Sequence, residues 1–232
     1  NDILDMSRIE SGKLELCYGT LDLTQLLASL ESLFHAQALE KGLTMCLKDG
    51  RSRNRLLRAD SLRLNQVLVN MIGNAVKFTD HGGITVRVEE LEANPRAVLR
   101  FSVADTGIGI EPSSLPNIFN PFEQAEASTA SRRGGTGLGL SISYRLVQMM
   151  GGVLEVTSQV GRGSEFFFTV AFDYAADAAA DAVETKEPVV TRDFHGRRIL
   201  LAEDNELNRE IAQTLLEMNG FKVECAVDGQ KA

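Results

Sequence analysis

The chain has 232 residues, a formal net charge of −8 at pH 7 and 44% hydrophobic residues. That length holds one full domain and part of a second, and the composition is typical of an ordinary globular protein. The acidic balance argues against nucleic-acid binding, because phosphate backbones select basic surfaces.

The three cysteines, Cys17, Cys46 and Cys225, are scattered and form no CxxC pair. Such usage fits a reducing compartment better than a disulfide framework, and each thiol is expected to be a small buried hydrophobe. No apolar run is long enough to span a bilayer, and no signal peptide is visible. Because the first residue is Asn1 rather than Met, the sequence favours a fragment of a longer protein.

The N-terminal part predicts two helices separated by a short strand. NDILDMSRIE (1–10) has the apolar spacing of the end of an amphipathic helix, which a Ser-Gly pair terminates. LELCY (14–18) alternates like a short strand. A second helix is expected to begin at the N-cap Asp22 and to end at Gly42.

The central part predicts a helix layer on a sheet. One helix runs from the N-cap Asp60 to Phe78, and another lies near residues 137–149. Five runs read as strands: LTMCL (43–47), ITVRVEEL (84–91), AVLRFSVAD (97–105), VLEVTS (153–158) and EFFFTVAF (165–172). Because strands and helices do not strictly alternate, we expect an α+β fold with a mixed or antiparallel sheet.

The composition changes after residue 173. Residues 174–196 include an alanine- and acid-rich stretch that predicts a linker, although its alanines also favour a helix. Residues 197–232 restart a β–α–β pattern. RILLA and FKVECAV are its predicted strands, and a helix from Asn205 to Met218 with Gly220 as C-cap lies between them.

One predicted helix carries a polar stripe on an otherwise apolar surface. In VNMIGNAVKFT (69–79), Asn70, Asn74 and Lys77 are spaced i, i+4 and i+7 and therefore share one face. A buried amide without a partner costs a few kcal/mol, so the stripe is expected to face a ligand, a cavity or a polar network. The alternatives are an amide network that holds the core and, for Lys77, a solvated helix end.

Two glycine-rich stretches accompany this helix. ADTGIGIEP places Asp105 at the end of a strand, shortly before Gly107 and Gly109, and RRGGTGLGLSIS (132–143) places four glycines before a helix. Glycine lets a backbone approach a ligand closely, and exposed N–H groups at a helix start suit phosphate. Taken singly, the first stretch is equally explained by a tight turn and the second by a surface loop.

Other phosphate-binding motifs do not fit the chain. The Walker-type pattern GxxxxGK[ST] is absent, and GGTGLGL does not match GxGxxG because Leu140 stands where the last glycine should be. The HRD and DFG signatures of protein kinases are missing as well.

Four stretches occur in a characteristic order. They are QVLVNMIGNAVKFT (66–79), DTGIGI (105–110), FNPFEQ (119–124) and RGGTGLGLSIS (133–143). In that order they resemble the N box, first glycine box, F box and second glycine box of the ATP-binding catalytic domain of sensor histidine kinases. This family belongs to the superfamily shared with gyrase and Hsp90, and the resemblance covers residues 1–173.

The resemblance implies a site for ATP and Mg²⁺. Asn70, Asn74 and Lys77 would be its catalytic residues, with Asn74 and Asn70 as metal ligands and Lys77 as a point charge for the phosphates. Asp105 would accept a hydrogen bond from the adenine amino group and so select adenine over guanine. The other implied nucleotide-binding residues are Gly107, Gly109, Phe119, Phe122, Arg132, Arg133, Gly135, Thr136, Gly137, Leu138 and Gly139.

The family also implies a mobile lid over this site. It would extend from Glu123 to Thr136, with Phe119 and Phe122 packing at its hinge. Many hybrid kinases place an arginine at the position of Ser131, so Arg132 or Arg133 would have to reach the γ-phosphate instead.

Asn70 also bears on the type of reaction. In the hydrolysing relatives, the matching position holds a glutamate that acts as a general base. An amide cannot take a proton from water, so transfer to another acceptor is favoured over hydrolysis. A gyrase- or Hsp90-type ATPase and a non-catalytic nucleotide-binding module are the alternatives.

The resemblance implies a modular layout. Residues 1–12 would end the dimerisation and phosphoacceptor hairpin, and residues 13–173 would form the catalytic domain, a two-layer α/β sandwich of the Bergerat type. Residues 174–196 would be a linker, and residues 197–232 the beginning of an incomplete flavodoxin-like receiver. In receivers, carboxylates at the positions of Glu203 and Asp204 help to hold Mg²⁺.

The same layout implies partners. The catalytic domain would act on a histidine of its own hairpin, whose H box should lie upstream of this sequence, and would pass phosphate through its receiver to a downstream response regulator or phosphotransfer protein. The parent would be a homodimer, with this module in the cytoplasm and an anchor in the bacterial inner membrane. No nucleic-acid partner is expected.

Overall fold

A computed structural model describes residues 2–52, 54–123, 137–175, 197–202, 213, 216 and 220–226. The chain forms two compact units, Asn1–Ala178 and Ala179–Ala232. Most of the predicted linker, residues 176–196, lies outside the described residues.

In the described part of the larger unit, seven strands form one mixed sheet. They are β1 (Gly19–Leu21), β2 (Thr44–Gly50), β3 (Leu57–Ala59), β4 (Gly83–Glu92), β5 (Ala97–Asp105), β6 (Leu154–Gln159) and β7 (Gly163–Tyr174). Their order is β1-β3-β7-β5-β4-β2, with β6 paired to β7 beside this path. Strands β2 and β4 pair in parallel, and the other pairs of this sheet are antiparallel.

Helices form a second layer against this sheet. They are α1 (Asp2–Glu10), α2 (Leu23–Glu40), α3 (Ser61–Phe78) and α4 (Gly139–Met149), with a single 3₁₀ turn at Leu115–Asn117. Helix α3 contacts α2 on one side and α4 on the other, and all three contact the sheet. The core between the layers includes the stacked rings of Phe101 and Phe168, whose centroids are 5.0 Å apart. The predicted two-layer α+β class is confirmed.

The two long helices begin at the predicted caps. Asp22 accepts hydrogen bonds from the backbone N–H groups of Thr24 and Gln25, and Gly42 follows α2 with a φ of +69°. Asp60 accepts from the N–H of Arg63 at 3.0 Å at the start of α3. Its other carboxylate oxygen accepts from the N–H of Cys17 at 2.8 Å. Asp60 therefore ties the segment before β1 to the helix that carries the polar stripe.

We expect Asp60→Ala to lower the free energy of unfolding by about 2–3 kcal/mol, because it removes a helix cap and leaves a second N–H without its partner. Asp60 is only 5% exposed, so water replaces the lost carboxylate poorly. Asp22→Ala is the matched control, since Asp22 caps α2 without a second tether, and should cost about 1 kcal/mol. Equal losses in urea denaturation would show that the bond to Cys17 adds nothing.

The strand predicted at residues 14–18 is wrong. The first strand is Gly19–Leu21, which pairs with Leu57–Ala59 in the register Gly19↔Ala59 to Leu21↔Leu57. That partner strand has three residues and was not predicted, because three residues are too few for an alternating pattern to show. Residues 14–18 are not part of a strand in the structure, and the N–H of Cys17 donates to the Asp60 side chain instead.

Two smaller differences concern exposure and length. Cys17, Cys46 and Cys225 are exposed rather than buried. Strand β7 continues to Tyr174, beyond the predicted end at residue 172, and the N–H of Ala175 still donates to the Leu56 carbonyl.

The described part of the smaller unit is a parallel strand pair. Strand β8 (Arg198–Ala202) pairs with β9 (Lys222–Ala226) in the register Arg198↔Lys222 to Ala202↔Ala226. Parallel neighbours need a crossover connection, as the predicted β–α–β pattern requires. Of the predicted helix, Gln213 and Leu216 are described and helical, whereas Glu203 and Asp204 lie outside the described residues.

None of the described helices combines the length and the apolar character needed to cross a bilayer.

Candidate nucleotide-binding site

The polar stripe of α3 borders the core without being sealed inside it. Asn70, Asn74 and Lys77 are half-buried, whereas Met71 and Val76 on the same helix are buried. Asn70 and Lys77 are seven positions apart, which corresponds to about 10 Å along the helix axis. The Lys77 ammonium lies 4.9 Å from the ring centroid of Phe78. Within the described part of the chain, the Asn74 side chain has no hydrogen-bond partner.

At the Asn70 end, the stripe meets the start of α4. The Asn70 amide nitrogen donates to the hydroxyl of Ser143 at 2.9 Å. Its amide oxygen lies against Gly139, the first residue of α4, where a Cβ atom would overlap it. The N box and the second glycine box therefore come together at a helix N-terminus, whose N–H groups can bind an anion.

At the other end, the first glycine box closes against the end of α3. The N–H of Ile108 donates to the Phe78 carbonyl at 3.3 Å, and a Cβ on Gly107 would overlap that same carbonyl oxygen. Gly109 has a φ of +71°, and a Cβ there would overlap the Gln159 carbonyl oxygen. The structure thus explains both glycines by close approach of the chain's own backbone.

Asp105 is half-buried at the end of β5. Its Oδ1 atom accepts hydrogen bonds from the N–H of Gly107 at 2.8 Å and from the N–H of Ser164 at 3.4 Å. Burial raises the pKa of this carboxyl, and the two N–H donors act in the opposite direction. Within the described residues, Oδ2 accepts no hydrogen bond and remains available to a ligand.

An open cavity of about 360 Å³ borders Asp105. It lies at the ends of β5, β6 and β7, and its walls include Ser158, Arg162 and Ser164. Neither Asn70 nor Asn74 lines this cavity, so the cavity does not extend along the polar stripe of α3.

The F box divides into one packed and one exposed ring. Phe119 stacks on Tyr144 with 5.1 Å between centroids and meets Phe166 edge-on at 6.5 Å. Phe122 is 71% exposed, so the expectation that it packs at the lid hinge is wrong. Its backbone has a φ of +64°, a conformation that a bulky residue rarely adopts and that sequence does not reveal.

The two residues that flank the predicted lid, Phe122 and Gly137, lie next to each other. The N–H of Phe122 donates to the Gly137 carbonyl at 3.1 Å, and a Cβ on Gly137 would lie 3.1 Å from the Phe122 Cα. Leu138 is only 1% exposed, so only its backbone can face a ligand. The remaining predicted lid residues, Arg132, Arg133, Gly135 and Thr136, lie outside the described residues.

Two serines that were not predicted from the sequence hold the site together. Ser143 fixes Asn70, and Ser164 donates to Asp105 through its backbone. Ser143 sits four residues after Gly139, so helical spacing from the glycine box could have singled it out. Ser164 is 59 residues from Asp105, and no local pattern announces that contact.

Comparison with known proteins gives a consistent family. Residues 59–174 match the family described as histidine kinase-, DNA gyrase B-, and HSP90-like ATPase. The whole chain aligns at 37% identity with 27% of the autoinducer 2 sensor kinase/phosphatase LuxQ of Vibrio cholerae. It also aligns at 39% identity with 29% of the aerobic respiration control sensor protein ArcB of Escherichia coli. The chain therefore spans less than a third of the length of these relatives.

Solved structures share the fold. The crystal structure of full-length ShkA in complex with AMPPNP matches 99% of this chain and 45% of that chain, with 33% identity and a TM-score of 0.66. The nucleotide-free catalytic domain of the histidine kinase ThkA matches 67% of this chain and 96% of that chain, with 25% identity and a TM-score of 0.57. The chain belongs to the histidine kinase-, DNA gyrase B-, and HSP90-like ATPase family, on its histidine kinase branch.

Proposed function

We propose that this chain binds Mg²⁺-ATP between α3, the first glycine box and the start of α4, and donates the γ-phosphoryl group to a histidine. The observation that carries the proposal is the contact of the Asn70 amide oxygen with Gly139 at the N-terminus of α4. Helix N-termini attract phosphate because their first N–H groups have no partner within the helix. The triphosphate would lie there, and the purine would lie near Asp105.

The hydrogen-bonding groups around Asp105, where the purine would lie, favour adenine as the base. The Asp105 carboxylate presents Oδ2 as an acceptor while Oδ1 is held by two backbone N–H groups. The amino group of adenine is a donor, whereas guanine presents an acceptor at the same position. Asp105 would therefore favour ATP over GTP.

The oxygen atoms at this site suit a metal ion that binds together with the nucleotide. No group of three or more His, Cys, Asp or Glu residues that could form a metal cage is found among the described residues. Mg²⁺ takes oxygen ligands, keeps several waters and commonly binds through one or two protein oxygens plus phosphates. The amide oxygens of Asn70 and Asn74 meet that requirement. When bound, the ion would neutralise charge on the transferring phosphoryl group.

The chain's own residues would orient the donor. Lys77 adds a positive charge near the C-terminus of α3, where the helix dipole alone would repel phosphate. Hydrolysis would need a general base at the position of Asn70. An amide cannot accept a proton from water, so water is activated poorly. Positioning and electrostatics would thus favour a histidine acceptor over water.

The surrounding protein is also part of the proposal. Residues 1–12 would end the hairpin that carries the acceptor histidine, and α1 packs in the same unit as the catalytic domain. The parallel pair β8–β9 would begin a receiver, with Glu203 and Asp204 as its Mg²⁺-binding carboxylates. The parent would be a homodimeric hybrid kinase that is anchored in the membrane, with this module in the cytoplasm. It would pass phosphate to a response regulator or phosphotransfer protein.

We expect label from γ-labelled ATP to appear on a separately made hairpin that contains the H box, and Asn74→Ala to reduce this transfer. Removal of a group that orients a metal ligand typically costs 10–100-fold in affinity or activity. Because Asn74 would itself be a ligand, we expect the transfer rate to fall by at least about 10-fold. Asn65→Ala is the matched control, because Asn65 and Asn74 are nine positions apart on α3, which places Asn65 on the opposite face. Its transfer rate should match that of the wild type.

Hydrolysis without the hairpin tests the alternative. A gyrase- or Hsp90-type ATPase would release phosphate steadily from ATP whether or not the hairpin is added. Fast hairpin-independent release together with an unlabelled hairpin would overturn the transfer proposal.

A further inference from the structure

Ser143 is a buried residue of α4 that contacts Asn70 of the N box. It lies on α4, one turn after Gly139, and is 1% exposed. Its hydroxyl accepts the hydrogen bond from the amide nitrogen of Asn70 at 2.9 Å, across the interface of α3 and α4. We propose that Ser143 is a positioning residue, which holds the Asn70 carboxamide so that its oxygen points toward the metal and phosphates.

The proposal follows from the symmetry of a carboxamide. Its nitrogen and oxygen ends have nearly the same shape, so rotation by about 180° exchanges a donor for an acceptor, and neighbouring groups decide which end points where. In this structure, the nitrogen is held by Ser143 and the oxygen lies against Gly139.

The start of α4 reinforces this orientation. A Cβ on Gly139 would overlap the Asn70 oxygen but would lie 3.3 Å from its nitrogen, so the oxygen is the atom nearest the helix start. Helix N-termini expose N–H donors and carry partial positive charge. An amide nitrogen turned toward them would face like dipoles, whereas the oxygen is attracted. Ser143 supplies the acceptor that the nitrogen then needs on the other side.

The proposal rests on the proposed function, in which the Asn70 oxygen serves Mg²⁺. Losing Ser143 would leave the amide nitrogen without this partner, and the carboxamide could rotate away from the productive orientation. Groups that orient metal ligands typically contribute 10–100-fold to metal affinity. Ser143→Ala should therefore raise the Mg²⁺ concentration for half-saturation of the nucleotide-loaded protein 10–100-fold.

The test is a titration of Mg²⁺ into protein that holds a fluorescent, non-hydrolysable ATP analogue, with calorimetry as a second readout. Affinity for the analogue in EDTA should be the same in Ser143→Ala and the wild type. Ser141→Ala is the matched control, because Ser141 is also buried on α4 but donates to the Leu138 carbonyl at 2.8 Å. Its Mg²⁺ requirement should stay within about twofold of the wild type, well below the effect of a lost metal-orienting group.

A double-mutant comparison separates orientation from packing. A carboxylate has two equivalent oxygens, so in an Asn70→Asp background its rotation no longer matters. Ser143→Ala should then lose most of its effect on Mg²⁺. An equal effect in both backgrounds would mean that Ser143 merely packs the two helices, and the proposal would be overturned.

The nucleotide-free wild type provides a test that does not depend on any variant's folding. One of the two side-chain amide protons of Asn70 should exchange slowly with solvent, because it is bonded to the buried hydroxyl of Ser143. Exchange of both protons at the rate of an exposed asparagine side chain would overturn the proposal. Absence of Mg²⁺-dependent nucleotide binding by the wild type would instead overturn the proposed function, so the two failures are distinguishable.

Discussion

We expect Asp105→Asn to weaken ATP binding on the order of 100-fold, as loss of a hydrogen bond to a charged group in a polar site does. The Oδ1 position of Asp105 is occupied by the N–H groups of Gly107 and Ser164, so an asparagine would keep its oxygen there. Its NH₂ group would then replace Oδ2 as the group that is available to a ligand. The NH₂ group of the asparagine and the amino group of adenine are both donors and cannot bond to each other. Guanine presents an acceptor at that position, so the preference for ATP over GTP should shrink or invert.

The same substitution should leave the nucleotide-free protein at least as stable as the wild type at neutral pH. Burial raises the pKa of Asp105, so the folded protein holds this proton more tightly than the unfolded chain does. The charged carboxylate therefore opposes folding above its folded pKa. The opposition fades as pH falls through that raised pKa toward the unfolded value. The stability advantage of Asp105→Asn should disappear over the same interval.

Asp49→Asn is the matched control, because its carboxylate differs from Asp105 in the direction of its pKa shift. A side-chain hydrogen bond with Arg51 lowers the pKa of Asp49. Its charge therefore favours folding at neutral pH, and this contribution is lost as pH falls through the lowered pKa. Asp49→Asn should lower stability slightly and leave nucleotide binding unchanged. Denaturation curves across pH, together with ATP and GTP titrations, measure both effects; ATP binding by Asp105→Asn at wild-type affinity would contradict the role of Asp105.

Local sequence signals were sufficient to predict the helix that carries the site. The apolar period of α3, its cap Asp60 and its polar stripe all lie within 19 residues, so one window contains the whole pattern. The position of Asp105 was also predictable, because a carboxylate at the end of an alternating strand is local information.

Long-range contacts account for what the sequence did not reveal. Gly163 approaches Asp105 so closely that a Cβ would overlap the Asp105 carbonyl oxygen, yet 58 residues separate them. The three residues of β3 are a strand only because β1 and β7 pair with them. The contact of Ser143 with Asn70 likewise exists only after α3 and α4 pack. In each case, tertiary contacts assign a role that periodicity and propensity cannot assign.

The second large effect is expected at Gly139. A Cβ there would overlap the Asn70 oxygen and lie 3.0 Å from its Cγ, so Gly139→Ala must displace the carboxamide. Displacement separates the amide from Ser143 and moves a proposed Mg²⁺ ligand. We expect Mg²⁺-dependent ATP binding to fall on the order of 100-fold, at the upper end of the loss caused by removing an orienting group.

Stability distinguishes this clash from unfolding. Alanine is a better helix former than glycine, and Asn70 is a side chain that can move aside, so the midpoint of urea denaturation should not fall. Gly19→Ala is the matched control, because nothing lies within 4 Å of a Cβ there. In an Asn70→Ala background, Gly139→Ala should have no further effect on Mg²⁺-dependent binding. A further loss of similar size would mean that the methyl group obstructs the nucleotide itself, and the contact between Gly139 and Asn70 would not explain the glycine.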